Sequence, residues 1–429
     1  MDTYQYAQSQ ALFKRAAKVI PCGVYGHFSP APYVPITSYP FYAARTQGCH
    51  IWDVDGNEFI DYMCAYGPMV IGYKNPVVDE AFLAQARVAD GASMASPKMV
   101  ELAEYLVDLI PVADWAFFAK NGADVTNYAC MIARAATGKR KIIAIKGGYH
   151  GSAAWMQGPC HPGVLDEDVA QVVRIPWNDY PALERAVDQH HDDVAGFIAT
   201  PYHHPVFVDN AMPAEGYWQK VEALLRRKGI VFIIDDVRTG FRLHMGGSNE
   251  YFGFKPDLIA FCKALANGYP ISALVGTGAL KSAAAKVFQT GSYWFSAAPM
   301  AAALACLEEM KRIDAPRIML DQGKKLLDGM AAIARGYGHT FNITGATSMP
   351  FLSTAGDESL MFHQSLCGEC TRRGVLFTSH HNWFLSTAHT DADIQRTWDI
   401  LDDAFQALKK GAATTADTQR PATVPAAGQ

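Results

Sequence analysis

The sequence has little of what marks a membrane-bound, secreted or nucleic-acid-binding protein. Only 18% of its 429 residues are charged, and the net charge of −5 provides no excess of basic groups for nucleic acid or an anionic membrane. No apolar run is long enough to span a bilayer, and the first residues lack the basic and apolar segments of a signal peptide. These absences predict a soluble, cytoplasmic protein that binds neither nucleic acid nor membrane.

The sequence also lacks the cysteine pattern of a disulfide framework or a zinc site. Its nine cysteines are scattered and odd in number, which is typical of reduced thiols. Cys367 and Cys370 form a CxxC pair, but no second pair or nearby group of histidines completes a set of metal ligands. We therefore expect no metal site, and we interpret this pair as structural.

Between about residues 76 and 310, helical stretches alternate with short runs rich in β-branched residues. This alternation predicts an α/β fold with a mostly parallel sheet covered by helices on both faces. The predicted helices include 77–90, 97–110 and 123–136. The predicted strands include 115–118, 141–145, 195–199, 230–234, 258–261 and 273–275. Ligands in such sheets bind at the carboxyl ends of the strands, so these ends are where a site is expected.

The two ends of the chain have a different pattern. A helix is predicted over 5–20, a proline-rich arm over 21–40, and a hairpin turn at Asp55-Gly56. Helices are also predicted over 299–336, near 358–373 and over 391–409. These patterns divide the chain into four segments: an arm with part of a small domain (1–65), a large domain (66–312), a C-terminal small domain (313–410) and a disordered tail rich in alanine, threonine and proline (411–429).

Lys263 follows directly after one predicted strand, the apolar run 258–261. Burial disfavours the ammonium form of such a lysine and makes its amine available as a nucleophile. An amine of this kind forms imines with aldehydes, including the aldehyde of pyridoxal phosphate. By itself the pattern is more often that of a surface lysine that begins a helix.

Four further stretches occupy the ends of predicted strands, and each suits one part of such a cofactor. The turn 120–126 opens a helix and suits a phosphate, and the glycine-rich loop 146–151 presents Tyr149 for stacking. Asp235 ends the buried run 230–234, where its carboxylate requires a positive partner such as a protonated pyridine nitrogen. The segment 290–296 carries hydroxyl groups. A phosphate-loop NTPase also places an aspartate after an apolar strand, but the sequence has no G-x-x-x-x-G-K-[ST] motif, which excludes that alternative.

In its order of motifs the chain resembles the class III aminotransferases of fold-type I, the pyridoxal-phosphate family that includes glutamate-1-semialdehyde aminomutase. The resemblance extends from about residue 10 to 408. The motifs that carry it are Trp52-Asp53-Val54-Asp55-Gly56-Asn57, Gly67-Pro68-Met69-Val70-Ile71-Gly72, Asn121-Gly122-Ala123-Asp124, Gly148-Tyr149-His150-Gly151, Asp235-Asp236-Val237-Arg238-Thr239-Gly240-Phe241-Arg242 and Lys263. It implies a large domain with a mostly parallel sheet and a smaller α+β domain built from both termini.

The resemblance also implies roles for residues around the cofactor ring. Lys263 would form the internal aldimine, and Asp235 would pair with the pyridine nitrogen. Tyr149 would stack on one face of the ring, and Val237 would pack against the other. In addition, His150 is interpreted as a hydrogen-bonding support for Tyr149.

For the cofactor phosphate, the resemblance implies backbone N–H donors at Gly122 and Ala123. Ser292 stands where the family usually has a threonine that the partner subunit donates to this phosphate. The resemblance thus implies a homodimer with the active site at the subunit interface.

The implied reaction moves an amino group between an amine or amino acid donor and a keto or aldehyde acceptor, with Lys263 as the general base. Aminomutase, racemase and ammonia-lyase reactions remain open on the same residues. A non-catalytic binding module is disfavoured because Lys263, Asp235 and Tyr149 are all present. The N-terminal arm has only Arg45 near its end, and this argues against glutamate semialdehyde as the substrate. The candidate pocket residues are Tyr25, His27, His380, His381, Asn382 and Trp383.

Overall fold

The computed structural model describes residues 3–158, 161–190 and 192–415. The N-terminal segment forms one helix and three antiparallel strands: α1 (Ala7–Ala16), β1 (Ala43–Gln47), β2 (His50–Asp53) and β3 (Glu58–Asp61). The predicted hairpin joins β2 to β3. Asp53 Oδ1 accepts hydrogen bonds from the N–H groups of Asp55 and Asn57, and Gly56 has the positive φ of +86° that glycine allows.

The middle of the chain forms a seven-stranded sheet with helices between its strands. The strands are β4 (Trp115–Ala119), β5 (Lys141–Ile145), β6 (Val172–Ile175), β7 (Val194–Ala199), β8 (Val231–Asp235), β9 (Leu258–Phe261) and β10 (Ser272–Gly276). The helices are α2 (Pro76–Val88), α3 (Pro97–Leu109), α4 (Gly122–Thr137), α5 (Asp166–Val169), α6 (Tyr180–Gln189), α7 (Tyr217–Lys228), α8 (Ser248–Phe252), α9 (Gly278–Lys286) and α10 (Ala298–Ile313).

The strand order in this sheet is β4-β10-β9-β8-β7-β5-β6. Within the described sheet β10 is the one reversed strand, antiparallel to both β4 and β9, and the other pairs are parallel. The predicted α/β fold with a mostly parallel sheet is therefore confirmed. Along β8, Phe232 and Ile234 enter one core cluster, whereas Ile233 enters a second cluster together with residues of α4 and α9. Both faces of the strand are therefore covered, which explains why its sequence is apolar at every position up to Asp235.

The C-terminal segment contains α11 (Ala315–Gly336), β11 (Phe341–Thr344), β12 (Phe351–Thr354), α12 (Met361–Thr371), β13 (Val375–Leu376) and α13 (Asp391–Thr415). β13 pairs in parallel with β3, and this pairing joins the two terminal segments in one sheet. The helical stretch predicted over 299–336 is two helices, because Asp314 adopts a left-handed φ of +56° between α10 and α11. The backbone of α13 continues through 411–415, the first part of the predicted tail, and 416–429 lie outside the described residues.

All eight cysteines in the described ranges are free thiols. Cys367 and Cys370 are buried on α12 in the main core cluster, as expected for a structural pair. No helix within the described ranges has the length and apolar content needed to cross a bilayer.

Candidate active site

A cavity of about 570 Å³ opens at the edge of the sheet where the parallel strands end. Its walls include seven residues that the sequence pointed to: Gly122, Ala123, Tyr149, His150, Asp235, Val237 and Lys263. They come from four separate strand-to-helix connections. The carboxyl ends of parallel strands meet at one edge of a sheet, and this geometry brings the four connections together.

One end of the cavity is the N-terminus of α4. The Asp124 carboxylate accepts hydrogen bonds from the N–H groups of Asn121, at 2.8 Å, and Lys120, at 3.2 Å, and thereby caps the helix. The N–H groups of Gly122 and Ala123 belong to the first helical turn and have no partner within the helix. Partial positive charge at these groups makes this end of the cavity an anion site.

Two glycines keep the anion site open. A Cβ added to Gly122 would lie 2.8 Å from Cγ1 of Val237, and one added to Gly151 would lie 2.6 Å from Cβ of Ala123. Gly151 also has a φ of +121°, which side chains other than hydrogen rarely allow. The start of α4 can approach Val237 on one side and Gly151 on the other this closely only because Gly122 and Gly151 lack side chains.

The Asp235 carboxylate, at the end of β8, is 4% exposed and has two protein partners. Its Oδ1 accepts from the N–H of Val237 at 3.1 Å, and its Oδ2 accepts from Nδ1 of the buried His150 at 2.7 Å. The backbone carbonyl of His150 in turn accepts from the Thr126 hydroxyl. The interpretation of His150 as a support for Tyr149 is therefore wrong, because its ring lies against Asp235 instead.

Lys263 begins a short 3₁₀ turn directly after β9 and has a φ of +40°. Its side chain borders the cavity. Burial, followed by the nearby Arg238 guanidinium, lowers the pKa of Lys263 to about 7, although Cys262 and Asp235 act in the opposite direction. Near neutral pH a large fraction of this amine is uncharged and can act as a nucleophile or a base.

These groups fit pyridoxal phosphate in kind and in arrangement. The N–H groups of Gly122 and Ala123 suit a phosphate, the Asp235 carboxylate suits a protonated pyridine nitrogen, and the Lys263 amine suits an aldehyde. The family model "Aminotransferase class-III" matches residues 33–405 of the chain.

The chain belongs to the class III aminotransferases.

The chain is similar to two characterised kinds of enzyme in this family. It is 38% identical to the aminopentol aminotransferase of Sphingopyxis macrogoltabida, over 94% of this chain and 95% of that protein. It is 32% identical to a glutamate-1-semialdehyde 2,1-aminomutase of Methanococcoides burtonii, over 91% of this chain and 97% of that protein.

The structural comparison agrees. The FumI protein of a Sphingopyxis species, in its pyridoxal-phosphate internal aldimine form, is 38% identical and superimposes with a TM-score of 0.92 over 95% of this chain and 97% of that one. The protein is thus a pyridoxal-phosphate-dependent aminotransferase with the fold-type I architecture.

Two other predicted cofactor contacts in this aminotransferase are more exposed. Tyr149 lies at the cavity wall with 65% of its surface exposed. Ser292 lies on an exposed segment and is not among the residues that line the cavity of its own chain.

Of the predicted pocket residues, His27 and His381 line the cavity of the aminotransferase, with ring centroids 5.0 Å apart. The pKa of each is lowered, primarily by burial and then by the Arg238 charge, so both rings are neutral at pH 7. The structure does not bring Tyr25 and Trp383 into this wall. Tyr25 is 80% exposed, whereas Trp383 is buried and stacks on Phe377 with centroids 3.9 Å apart.

The remaining two pocket candidates lie just behind the cavity wall. The His380 ring stacks on Phe207, with centroids 5.1 Å apart. The Asn382 side chain accepts a hydrogen bond from Arg238 at 3.1 Å.

Sequence reasoning assigned no role to several residues of the cavity: Tyr66, Thr126, His204 and Arg238. Arg238 stands inside a motif that carried the family resemblance, so its position near the cofactor could have been inferred. The orientation of its side chain and its hydrogen-bond partners could not have been inferred, because those partners, His204 and Asn382, lie far away in the sequence.

Proposed function

We propose that this aminotransferase moves an amino group between an amine or amino acid donor and a keto or aldehyde acceptor, with Lys263 as the residue that binds the cofactor covalently and transfers the proton. The observation that carries the proposal is that Lys263 shares one cavity with the Asp235 carboxylate and the α4 anion site. Burial, which lowers the pKa of this lysine to about 7, supports the same role. Pyridoxal phosphate, when bound, supplies an aldehyde that captures amines and a ring that withdraws electrons from the substrate carbon.

Each residue has a separate task in this proposal. The N–H groups of Gly122 and Ala123 hold the phosphate, and the negative charge of Asp235 keeps the pyridine nitrogen protonated. Tyr149 and Val237 confine the ring from its two faces. The uncharged Nζ of Lys263, once a donor amine has displaced it, would take the proton from the substrate Cα and deliver it to the carbon on the other side of the amino nitrogen.

We include a homodimer in the proposal. Ser292 carries a hydroxyl suited to phosphate, and its segment is exposed together with large apolar side chains, with Tyr293 76% and Phe288 86% exposed. A second copy of the chain would cover this surface and bring Ser292 to the partner's phosphate. The active site would then lie at the subunit interface.

We also infer two properties of the whole chain. The segments 1–65 and 313–410 together would form the small domain, which is supported by the pairing of β13 with β3. The free thiols at all eight described cysteines suit a reducing compartment such as the cytoplasm.

Aminomutase activity is a second candidate, because the aminomutase of Methanococcoides burtonii covers nearly the whole chain at 32% identity. Racemase and ammonia-lyase reactions would use the same residues. A panel of amine and amino acid donors separates these outcomes when each is mixed with purified holoenzyme in the absence of an acceptor. Transamination predicts about one equivalent of keto product per site and an accompanying change in the ring spectrum. Continuous ammonia release indicates a lyase, and an isomeric amine without keto product indicates a mutase or racemase.

The role of Lys263 has its own test. Lys263→Ala should remove the visible absorbance of the lysine-bound cofactor and abolish turnover. Lys146→Ala is a matched control, because Lys146 is exposed at the end of β5 and does not line the cavity. Absorbance retained in Lys263→Ala would overturn the assignment.

A further inference from the structure

Arg238 is a partly buried cation on the cavity wall, and it has no carboxylate partner among the described residues. Its Nη1 donates to three neutral acceptors: the His204 carbonyl at 2.9 Å, Asn382 Oδ1 at 3.1 Å and His204 Nδ1 at 3.2 Å. Asp235 is a carboxylate whose charge acts on Arg238, but it already accepts hydrogen bonds from His150 and from the N–H of Val237. A guanidinium that is partly removed from water and surrounded by neutral groups is stabilised when an anion joins it.

The Nε and Nη2 groups of Arg238 are available for such an anion. Neither nitrogen donates a hydrogen bond to a described residue, and neither is a fully buried atom. Both nitrogens are therefore accessible, and Arg238 lines the cavity. Two parallel N–H donors of a guanidinium match the two oxygens of a carboxylate.

The guanidinium is also held in place before any ligand arrives. Asn382, which accepts from Nη1, donates through its own side chain to Asn210 Oδ1 at 2.9 Å. The second anchor of Nη1 is a backbone carbonyl of the buried His204, so its position is fixed by the chain. A group fixed in this way loses little conformational freedom when it binds a ligand.

The other charged groups of the cavity wall leave Arg238 as the place where an anion other than the cofactor phosphate would bind. Among the described residues that line the cavity, Lys263 and Arg238 are the only lysine and arginine. Burial lowers the pKa of four of the five lining histidines, His27, His203, His204 and His381, which favours their neutral forms at pH 7. The fifth, His150, is hydrogen-bonded to Asp235. The two lining carboxylates, Asp124 and Asp235, both lie at the cofactor end, where each has hydrogen-bond donors of its own.

We propose that Arg238 is the specificity-determining residue that binds the carboxylate of a small oxo acid acceptor, through Nε and Nη2. This inference rests on the proposed aminotransferase function and names the substrate class for its second half. It places the cationic subsite on the segment after β8 and not on the N-terminal arm, where the sequence has only Arg45 near the end. Acceptors that lack a carboxylate would react without help from this residue.

The test compares a carboxylate acceptor with an uncharged one on the same enzyme. A donor first converts the holoenzyme to the form in which the cofactor carries the amino group. Pyruvate or propanal is then added, and absorbance follows the recovery of the lysine-bound form. Arg238→Met should raise the half-saturating concentration of pyruvate by about 30-fold or more relative to that of propanal, because loss of one partner of a charge pair is costly. The accompanying rise in the pKa of Lys263 affects both acceptors alike, so the ratio of the two concentrations isolates the carboxylate contact. Arg238→Lys, which keeps the charge but loses the paired donors, should give an intermediate loss for pyruvate.

A binding measurement provides a readout that does not depend on turnover. Calorimetry on holoenzyme with propionate and with propionamide should show that only propionate loses affinity in Arg238→Met. The matched control is Arg174→Met, since Arg174 is a partly buried arginine on β6 that donates to the carbonyls of Met156 and Gln157 outside this cavity. This control should bind both ligands as the unmodified enzyme does.

The outcomes also distinguish this inference from the function on which it rests. Absence of lysine-bound cofactor absorbance in the unmodified protein would overturn the proposed function itself. Normal absorbance and normal propanal turnover in Arg238→Met, with pyruvate and propionate also unchanged, would overturn only the role of Arg238. If Arg238→Met fails to bind the cofactor, the binding test is made on Arg238→Lys instead. An unchanged affinity for propionate in Arg238→Lys then counts against the proposal.

Discussion

Nδ1 of His150 lies 2.7 Å from Oδ2 of Asp235, and both side chains are buried. The two residues are 85 positions apart in the chain. His150 lies on the connection that follows β5, and Asp235 is the last residue of β8. The hydrogen bond fixes one carboxylate oxygen, and the N–H of Val237 fixes the other. Asp235 is therefore held in a single orientation at the cofactor end of the cavity, while Nε2 of His150 has no partner in the described protein.

The negative charge of Asp235 should matter more than its shape. Asp235→Asn keeps the size and much of the hydrogen bonding but removes the charge that holds the pyridine nitrogen protonated. We expect kcat to fall by about 10²-fold or more, which is typical when one preorganised electrostatic group is lost. Steady-state kinetics with a saturating donor measures this effect.

His150→Gln is the companion variant, because it loosens the carboxylate without removing its charge. The expected loss in kcat is smaller, about tenfold, as is usual for a residue that orients a catalytic group. An Asp235→Asn enzyme with full kcat would contradict the assigned role, whatever the result for His150→Gln.

The pKa of Lys263 predicts a pH dependence for cofactor attachment. Burial and the Arg238 charge lower this pKa to about 7, so the amine is mostly protonated below pH 7 and mostly uncharged above it. Only the uncharged amine attacks an aldehyde, and the rate of attachment to cofactor-free protein should fall as the pH drops below 7. Stopped-flow absorbance from about pH 5.5 to about pH 11, in steps of about half a unit, resolves the midpoint.

Arg238→Met should move this midpoint upward, since the guanidinium is one of the groups that lower the lysine pKa. A midpoint near the ordinary lysine value of about 10.4 in the unmodified protein would contradict the prediction. Such a result would mean that the Lys263 amine is not desolvated.

Gly151 should be intolerant of even one added methyl group. Its φ is +121°, and a Cβ there would lie 2.6 Å from Cβ of Ala123 at the start of α4. Relief of this overlap displaces the loop or the helix N-terminus at a cost of about 1–3 kcal/mol. Gly151→Ala should therefore bind pyridoxal phosphate about tenfold or more weakly in equilibrium titration of cofactor-free protein.

Gly336→Ala is the matched control for this substitution, because a methyl group there meets no atom within 4 Å. It should leave cofactor affinity unchanged. Equal affinity in both variants would show that the close approach of Gly151 to Ala123 is not needed for the phosphate site.

Ser292 should act on the partner's active site, which subunit mixing can test. We expect the homodimers of Lys263→Ala and of Ser292→Ala each to be impaired. A mixed dimer that carries one subunit of each kind regains one intact site if the serine acts across the interface, because that site combines Lys263 of one chain with Ser292 of the other. Mixing the two variants after partial unfolding should then restore activity above that of either alone.

No gain on mixing, together with mixed dimers verified by mass spectrometry, would show that Ser292 acts in its own chain or not at all. Ser282→Ala, on the surface helix α9, serves as the control in place of Ser292→Ala. Its homodimer should have full activity before mixing.

The sequence by itself determined the alternation of strands and helices and the places where apolar strands end in polar residues. Lys263 and Asp235 were predictable because a strand buried on both faces is apolar throughout, so its polar end stands out. The start of α4 was predictable from Asn121, Asp124 and the small residues between them, since a helix cap depends on neighbours in sequence.

The tertiary structure alone decided which side chains meet across the cavity. Arg238 reaches Asn382, 144 positions away, and His150 reaches Asp235, 85 positions away, so neither partner is encoded in a local pattern. Trp383 shows the same limit, because it stacks on Phe377 in the core although His381, two residues earlier, lines the cavity. Local periodicity determines which residues are buried, whereas the packing of distant segments determines what each buried group faces.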